Sequence, residues 1–344
     1  MSGQASLLFF GMKPIIAISM GDYNGIGPEV ALKALAKTDL EQSVPLWIGS
    51  EAVLKHYSTQ LTDTLPFTKI SAPISLKPGN IYLFDPFEED EISLQSGSVS
   101  KKAGAAAMKA VETGARFCLN RTCHALVTAP ISKEAISKAG FTTPGHTEFL
   151  AEITAAQKVV MMLVSRVLRV AITTIHIPVK DIASSIKTDS ISEQLQILNR
   201  SLQQDFGISS PKIAVLGLNP HAGDGGVIGD EETRIIKPAI EQAHKEGLTA
   251  EGPFAADGFF GNHLYKRFDA TLAMYHDQGL IPFKTLSFGQ GVNFTAGLPV
   301  IRTSPDHGTA FSIAGKNKAD EHSFIEAYNL AVKMAINRTN NITT

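Results

Sequence analysis

The chain of 344 residues carries 31 Lys plus Arg against 33 Asp plus Glu, so it offers no basic field for nucleic acid. With 44% hydrophobic residues it can bury two ordinary cores, while its apolar stretches break well short of a membrane span. Cys118 and Cys123 are the only cysteines, so no disulfide framework is expected. A reducing cytoplasm fits, and any metal site has to be built from nitrogen and oxygen ligands.

The segment Ser6 to Phe10 is too short for a signal h-region and lacks a basic start. It reads as a disordered extension before the first strand, or as a misassigned start ahead of Met12. Ile15 to Met20 is a buried strand, followed by the Gly-rich turn Gly21 to Gly27 and a helix that Pro28 opens and Ala36 closes. Val44 to Ile48 and Ile81 to Phe84 are further strands. Ser98 or Ser100 caps a long Ala-rich helix through Arg116, which leads into the strand Ala125 to Thr128. This alternation predicts βαβ units and a largely parallel sheet with helices on both faces. Val159 to Val164 and Leu168 to Ile172 lie so close that they predict an antiparallel hairpin. Helical spacing covers about 190 to 206, 231 to 246 and 324 to 337. No linker or internal repeat is visible. The expected division is a discontinuous first α/β domain, 1–140 plus 300–344, and a second one, 141–299.

Three apolar runs, Val167 to Ile175, Lys212 to Leu218 and Asp269 to Tyr275, each break into a polar or Gly-rich loop that carries a histidine: His176, His221 and His276. Parallel strands point their carboxyl ends at one crevice, where ligands bind. Three neutral imidazoles meeting there make a divalent-metal site with an open position. Any one of them alone reads as a loop histidine bonded to nearby backbone; the threefold coincidence points to the metal. Asn219-Pro220-His221-Ala222-Gly223-Asp224-Gly225-Gly226 is the sharpest segment, because such glycine density beside His and Asp is costly for a plain loop. Asp277, next to His276, can support a ligand histidine, bind the metal or accept a proton; Asp257 is a second candidate base, or else a turn cap.

Gly21 to Gly27 follows a strand and opens a helix, yet it matches neither the dinucleotide glycine spacing nor a Walker loop. His146 and Thr147 stand at a helix amino end, where unpaired N–H groups and partial positive charge suit an anion; alternatively, Thr147 is only the cap. Lys284, Asn293 and Arg302 add the natural complement to a phosphate, though singly each reads as a surface group or turn residue. The donor-rich stretch from Ser304 to Asn317, with Asp306, His307, Gly308 and Thr309, can wrap an adenosine through its backbone; by composition alone it is a surface loop.

Gly21 to Glu29 (Gly-Asp-x-x-Gly-Ile-Gly-Pro-Glu), Gly145 to Glu148 (Gly-His-Thr-Glu), Asn219 to Gly223 and Tyr275 to Gly279 (Tyr-His-Asp-Gln-Gly) together resemble the 4-hydroxythreonine-4-phosphate dehydrogenase family, from about Met12 to Arg338. Tyr23-Asn24 replaces the Pro-containing pair common after that Asp. The resemblance implies a two-domain isocitrate/isopropylmalate-dehydrogenase-like fold with a cleft between domains. It implies a homodimer with shared active sites, in which a divalent cation (Zn, Mg or Co) is held by His176 and His221 of one subunit and His276 of the other. His146, Thr147, Lys284, Asn293 and Arg302 carry over as contacts to a small phosphorylated substrate. Ser304, Asp306, His307, Gly308, Thr309 and Asn317 carry over as contacts to NAD or NADP. The implied reaction oxidises 4-phosphohydroxy-L-threonine, and the resulting β-keto acid decarboxylates, in pyridoxine and pyridoxal phosphate biosynthesis. Relatives acting on phosphoerythronate or phosphothreonate share the metal histidines and stand as the alternative. Rivals of other classes are a three-histidine metallohydrolase and a solute-binding module.

Overall fold

The computed structural model describes residues 13–59, 61, 65–88, 91–287 and 289–343; the segment Ser6 to Phe10 lies outside them. The chain divides into two compact units, one of residues 1–157 and 298–344, the other of Lys158–Gly297. The boundary thus falls after Gln157 rather than at 140, which moves the helix His146–Ile153 into the first unit. Among the described residues the strands in chain order are β1 (Ile15–Ser19), β2 (Val44–Ile48), β3 (Phe67–Ile70), β4 (Ile81–Phe84), β5 (Ala125–Thr128), β6 (Val160–Val164), β7 (Arg169–Thr174), β8 (Lys212–Leu216), β9 (Thr249–Phe254), β10 (Ala270–Tyr275), β11 (Val292–Ala296) and β12 (Ile301–Pro305).

In the first unit the order is β3-β4-β2-β1-β5-β12, every pair parallel. All five residues of β1 and all five of β2 are buried. Successive strand side chains point to opposite faces, so both faces are covered, and the unbroken apolar runs follow. The expected α/β architecture with mostly parallel strands is present. Of the two cap candidates, Ser100 accepts from the Ala103 N–H at the head of the helix Lys101–Leu119.

In the second unit the order is β11-β6-β7-β10-β8-β9. β6 is antiparallel to both β7 and β11, and the hairpin anticipated at Ser165 forms: its hydroxyl accepts from the Val167 and Leu168 N–H groups. From β7 through β9 all pairs are parallel. The core collects Ile172, Leu216, Phe259, Ala273 and Phe283. The helix expected over about 231 to 246 is not uniform. It starts as a wide π turn, Glu232–Ile236, and becomes an α-helix only at Lys237–Lys245, with Pro at the junction.

Candidate active site

The three strands that precede the histidines are neighbours, in the order β7-β10-β8, and parallel. Tyr275 lies opposite Thr174 and Leu272 opposite Val215, so all three strands end on one edge. Adjacent strands are about 4.8 Å apart, which puts the ends of these three strands within roughly 10 Å of one another. His176 and His276 stack obliquely with ring centroids 6.0 Å apart. Beside them is a hollow of about 210 Å³, lined among others by Thr174, Ile177, Val179 and Ile182. Among the described residues of one chain, no three His, Cys, Asp or Glu side chains close into a group able to hold a metal. The histidines therefore share an edge without converging on one point within a single chain.

His276 opens the helix His276–Ser287, and its Nδ1–H donates to Asp277 Oδ1 at 2.7 Å. A carboxylate only accepts, so the proton sits on Nδ1 and Nε2 keeps its lone pair, the tautomer found in metal-bound imidazoles. This donor chemistry fits a divalent cation. Gln278 ties the edge together: its Oε1 accepts from the Met274 N–H at 2.7 Å and its Nε2 donates to the Gly217 carbonyl at 2.6 Å. One amide thus locks the end of β10 to the end of β8.

His221 stands in an unusual backbone. From His221 to Gly226 every φ is positive, between 43° and 101°, a left-handed turn of six residues. His221, Ala222 and Asp224 are not glycines, and each costs on the order of 1–2 kcal/mol there. Gly223 cannot be replaced cheaply, since a Cβ would lie 2.6 Å from the Gly229 carbonyl oxygen. The glycine density noted in the sequence has this cause.

Lys284 is exposed on the helix His276–Ser287. Asn293 is on β11 with its side-chain oxygen buried and without a partner. Asp257 is exposed in the first turn of the helix Ala256–Gly261 and does not cap it, for that helix has no side-chain cap.

In the first unit, His146 is itself the first residue of the helix His146–Ile153, three residues ahead of the helical run expected from Phe149, with Gly145 before it and no side-chain cap. Thr147 is therefore not a cap. His146 Nε2 is buried without a partner, and burial, together with the nearby Arg302 charge, holds its basicity well below the ordinary histidine range. It is a neutral imidazole. Arg302, on β12, is only 2% exposed, and its Nε and Nη2 donate to Thr128 Oγ1 at 3.0 and 2.9 Å. Burial lowers even this guanidinium to about 10, while the Glu148 carboxylate pulls the other way. A buried cation beside a neutral imidazole and a helix amino end can receive an anion.

Ser304 belongs to β12 and is buried, so it is part of the sheet rather than of the loop that follows. Asp306 has its N–H bonded to Ser323 Oγ at 2.9 Å, His307 Nδ1 lies 3.2 Å from the Gly308 carbonyl, and Asn317 has a φ of 55°. His307 Nε2 is buried without a partner, and burial keeps this imidazole neutral. The Thr309 carbonyl accepts from the Ile26 N–H at 2.9 Å. A Cβ on Gly25 would lie 2.8 Å from that carbonyl oxygen, so Gly25 serves the close approach of the two loops. With Nδ1–H donating to a carbonyl, the buried Nε2 of His307 is an acceptor without a partner, which fits a hydroxyl of a dinucleotide.

Four residues had no role in the sequence reading. Thr128 and Gln278 were visible only as strand and motif members. Glu232 was hidden in an amphipathic stretch. Asp22, in the Gly21 to Gly27 turn, is fully buried; Oδ1 accepts from the Asn24 N–H, Oδ2 has no partner, and burial raises its pKa to about 6.

Residues 41–331 match the model of the family described as pyridoxal phosphate biosynthetic protein PdxA. A 4-hydroxythreonine-4-phosphate dehydrogenase from Prosthecochloris aestuarii is 46% identical, covering 94% of this chain and 97% of its own length. One from Bacteroides thetaiotaomicron is 44% identical, over 94% and 89%. The crystal structure of the Klebsiella pneumoniae enzyme of that name superposes with a TM-score of 0.87 at 38% identity, over 94% of this chain and 98% of that one. The chain belongs to the PdxA family of pyridoxal phosphate biosynthesis, and it is, like the relatives named for that dehydrogenase, an oxidoreductase.

Proposed function

We propose that this chain oxidises 4-phosphohydroxy-L-threonine with NAD or NADP and a divalent cation. The product, 2-amino-3-oxo-4-phosphobutanoate, then loses carbon dioxide to give 3-amino-2-oxopropyl phosphate. A dehydrogenase in general passes its hydride to a nicotinamide cofactor, whose redox chemistry the protein only positions. The observation that carries the reading is the edge formed by β7, β10 and β8, where three imidazoles end parallel neighbours and stand ready to be shared with a second copy.

His176, His221 and His276 are the residues that would hold the cation, with Asp277 fixing the tautomer of His276. Bound there, a divalent ion supplies Lewis-acid polarisation of the substrate's alcohol oxygen. His146, Thr147, Lys284, Asn293 and Arg302 are proposed as substrate contacts, the cationic ones to its phosphate. Neutrality of His146 lets it donate one hydrogen bond without a second buried charge beside Arg302. Asp257 and Asp277, both solvent-facing, are the proposed routes for the proton that leaves. The loop of Asp306 to Asn317 is proposed to take the adenosine.

A second copy of the chain is proposed as partner, contributing His276 to the site. This is supported by the exposed apolar side chains Val179 (81%), Val227 (84%) and Ile281 (64%), all in the unit that bears the histidines. Among the described residues no helix is long and apolar enough to cross a membrane. Buried free thiols at Cys118 and Cys123 fit a reducing cytoplasm.

The test is NADH formation with 4-phosphohydroxythreonine, compared with phosphoerythronate, with and without chelator. Reduction that needs both the first substrate and metal supports the reading; a preference for phosphoerythronate favours the sugar-acid alternative. His221→Ala should abolish metal uptake and turnover with the circular dichroism unchanged, and normal activity of that variant after chelation and metal titration refutes the site.

A further inference from the structure

The left-handed turn bearing His221 is held from behind by one buried side chain. Glu232, in the π turn Glu232–Ile236, is 2% exposed. Its Oε1 accepts from the backbone N–H groups of Leu218 and Asn219, both at 2.7 Å, and its Oε2 accepts from Asn219 Nδ2 at 3.0 Å. The same Asn219 amide also donates to Glu231 Oε2 at 2.7 Å. Glycines close the arrangement: a Cβ on Gly217 would meet Oε1 at 3.1 Å, and one on Gly223 would meet Oε2 at 2.7 Å. Both ends of the turn's approach are therefore packed against one carboxylate.

Three consecutive physical facts make this more than a structural anchor. The strand end at Leu218 and Asn219 has no further partner strand N–H ladder to continue, so Glu232 takes over its donors just where the chain must leave the sheet. The turn that follows costs several kcal/mol in left-handed non-glycine residues, and strain of that kind persists only where the surroundings over-determine it. Glu232 is the first residue of the π turn that opens this helix, and from there its carboxylate reaches the strand end.

From this arrangement we infer that Glu232 is a positioning residue for His221, storing the turn's strain so that the imidazole is presented, pre-oriented, to a divalent cation. This rests on the metal-dependent reading above. Charge at Glu232 acts through three hydrogen bonds and not by contact with the cation. Partners behind a ligand histidine usually contribute about 10- to 100-fold to metal affinity.

The probe is Co(II), titrated into the full-length protein and followed by its visible d–d band, with thermal unfolding measured alongside. Glu232→Gln preserves volume but turns a donor toward the Leu218, Asn219 or Gly223 side of the pocket. It is expected to weaken Co(II) by about 10- to 100-fold and to shift the band, in protein that remains folded. Asn219→Asp, which sets a carboxylate against Glu231 and Glu232, is expected to act in the same direction. On the unaltered protein, saturating Co(II) is expected to slow amide exchange across residues 217 to 226, because coupling between two groups is reciprocal. Wild-type affinity and spectrum in a folded Glu232→Gln or Asn219→Asp protein would overturn the inference while leaving the metal site standing. So would exchange over 217 to 226 that ignores Co(II), and this measurement decides if both variants fail to fold. A wild-type protein that takes up no Co(II) sinks the metal site and the inference together.

Discussion

Replacing Asp22 with Asn isolates a cost that burial imposes on the turn after β1. The carboxyl is fully buried, one oxygen accepts from the Asn24 N–H and the other meets nothing, and its pKa rises from 3.8 to about 6. Desolvation is the main cause, with the Asn24 hydrogen bond opposing it. The folded-state pKa lies above the unfolded one, so the group's contribution to stability is fully present below pH 3.8. It is lost as the pH rises to about 6 and beyond, since the unfolded chain gives up the proton first. A gap of about 2 pKa units corresponds to roughly 3 kcal/mol in total, of which about 1.4 kcal/mol is lost between pH 5 and pH 8. Asn keeps the acceptor for Asn24 and has no charge to desolvate. Urea unfolding of both proteins at pH 5 and pH 8 is therefore expected to show Asp22→Asn gaining about 1.4 kcal/mol on the wild type over that interval. A difference between the two proteins that is the same at both pH values would refute the argument.

Thr128→Val removes the hydroxyl that accepts twice from Arg302, and each hydrogen bond to a charged group contributes about 1.5–3 kcal/mol. Steady-state kinetics should show KM for the phosphorylated substrate rising about 10-fold or more, with Thr128→Ser recovering most of it. Gly25→Ala forces a methyl against Thr309 at 2.8 Å, an overpacking cost of about 1–3 kcal/mol. Calorimetric titration should show weaker nicotinamide dinucleotide binding, with Co(II) affinity unchanged.

Much of the layout was readable because buried parallel strands declare themselves as unbroken apolar runs. β1, β2 and β5 needed no other signal, and the close spacing around Ser165 sufficed for the hairpin. Elements that escaped the reading did so for identifiable reasons. The helix His276–Ser287 contains Gly279 and Pro282, which look like loop formers; Gly279 is there because a Cβ would come within 2.5 Å of Ile172 Cδ1 on β7. β9 contains Gly252 and Pro253, tolerable only because it is an edge strand. β12 carries Arg302, and a buried arginine breaks the apolar pattern that marks a strand. At the site, loop histidines are conspicuous because composition exposes them. The side chains that hold them are not: Glu232 and Gln278 act on backbone groups brought near by sheet order, and sheet order is not written in local spacing. The same holds for Thr128, whose partner is 174 positions away.

The order β7-β10-β8 differs from the order of synthesis, in which β8 precedes β10. A nascent chain that has emerged only as far as residue 269 holds two strands with a vacant slot between them, each showing an unsatisfied backbone edge. Premature termination in that interval should yield sticky, aggregating fragments rather than a smaller working protein. Insertion of β10 both heals those edges and delivers His276, so one late event closes this stretch of sheet and completes the row of three histidines.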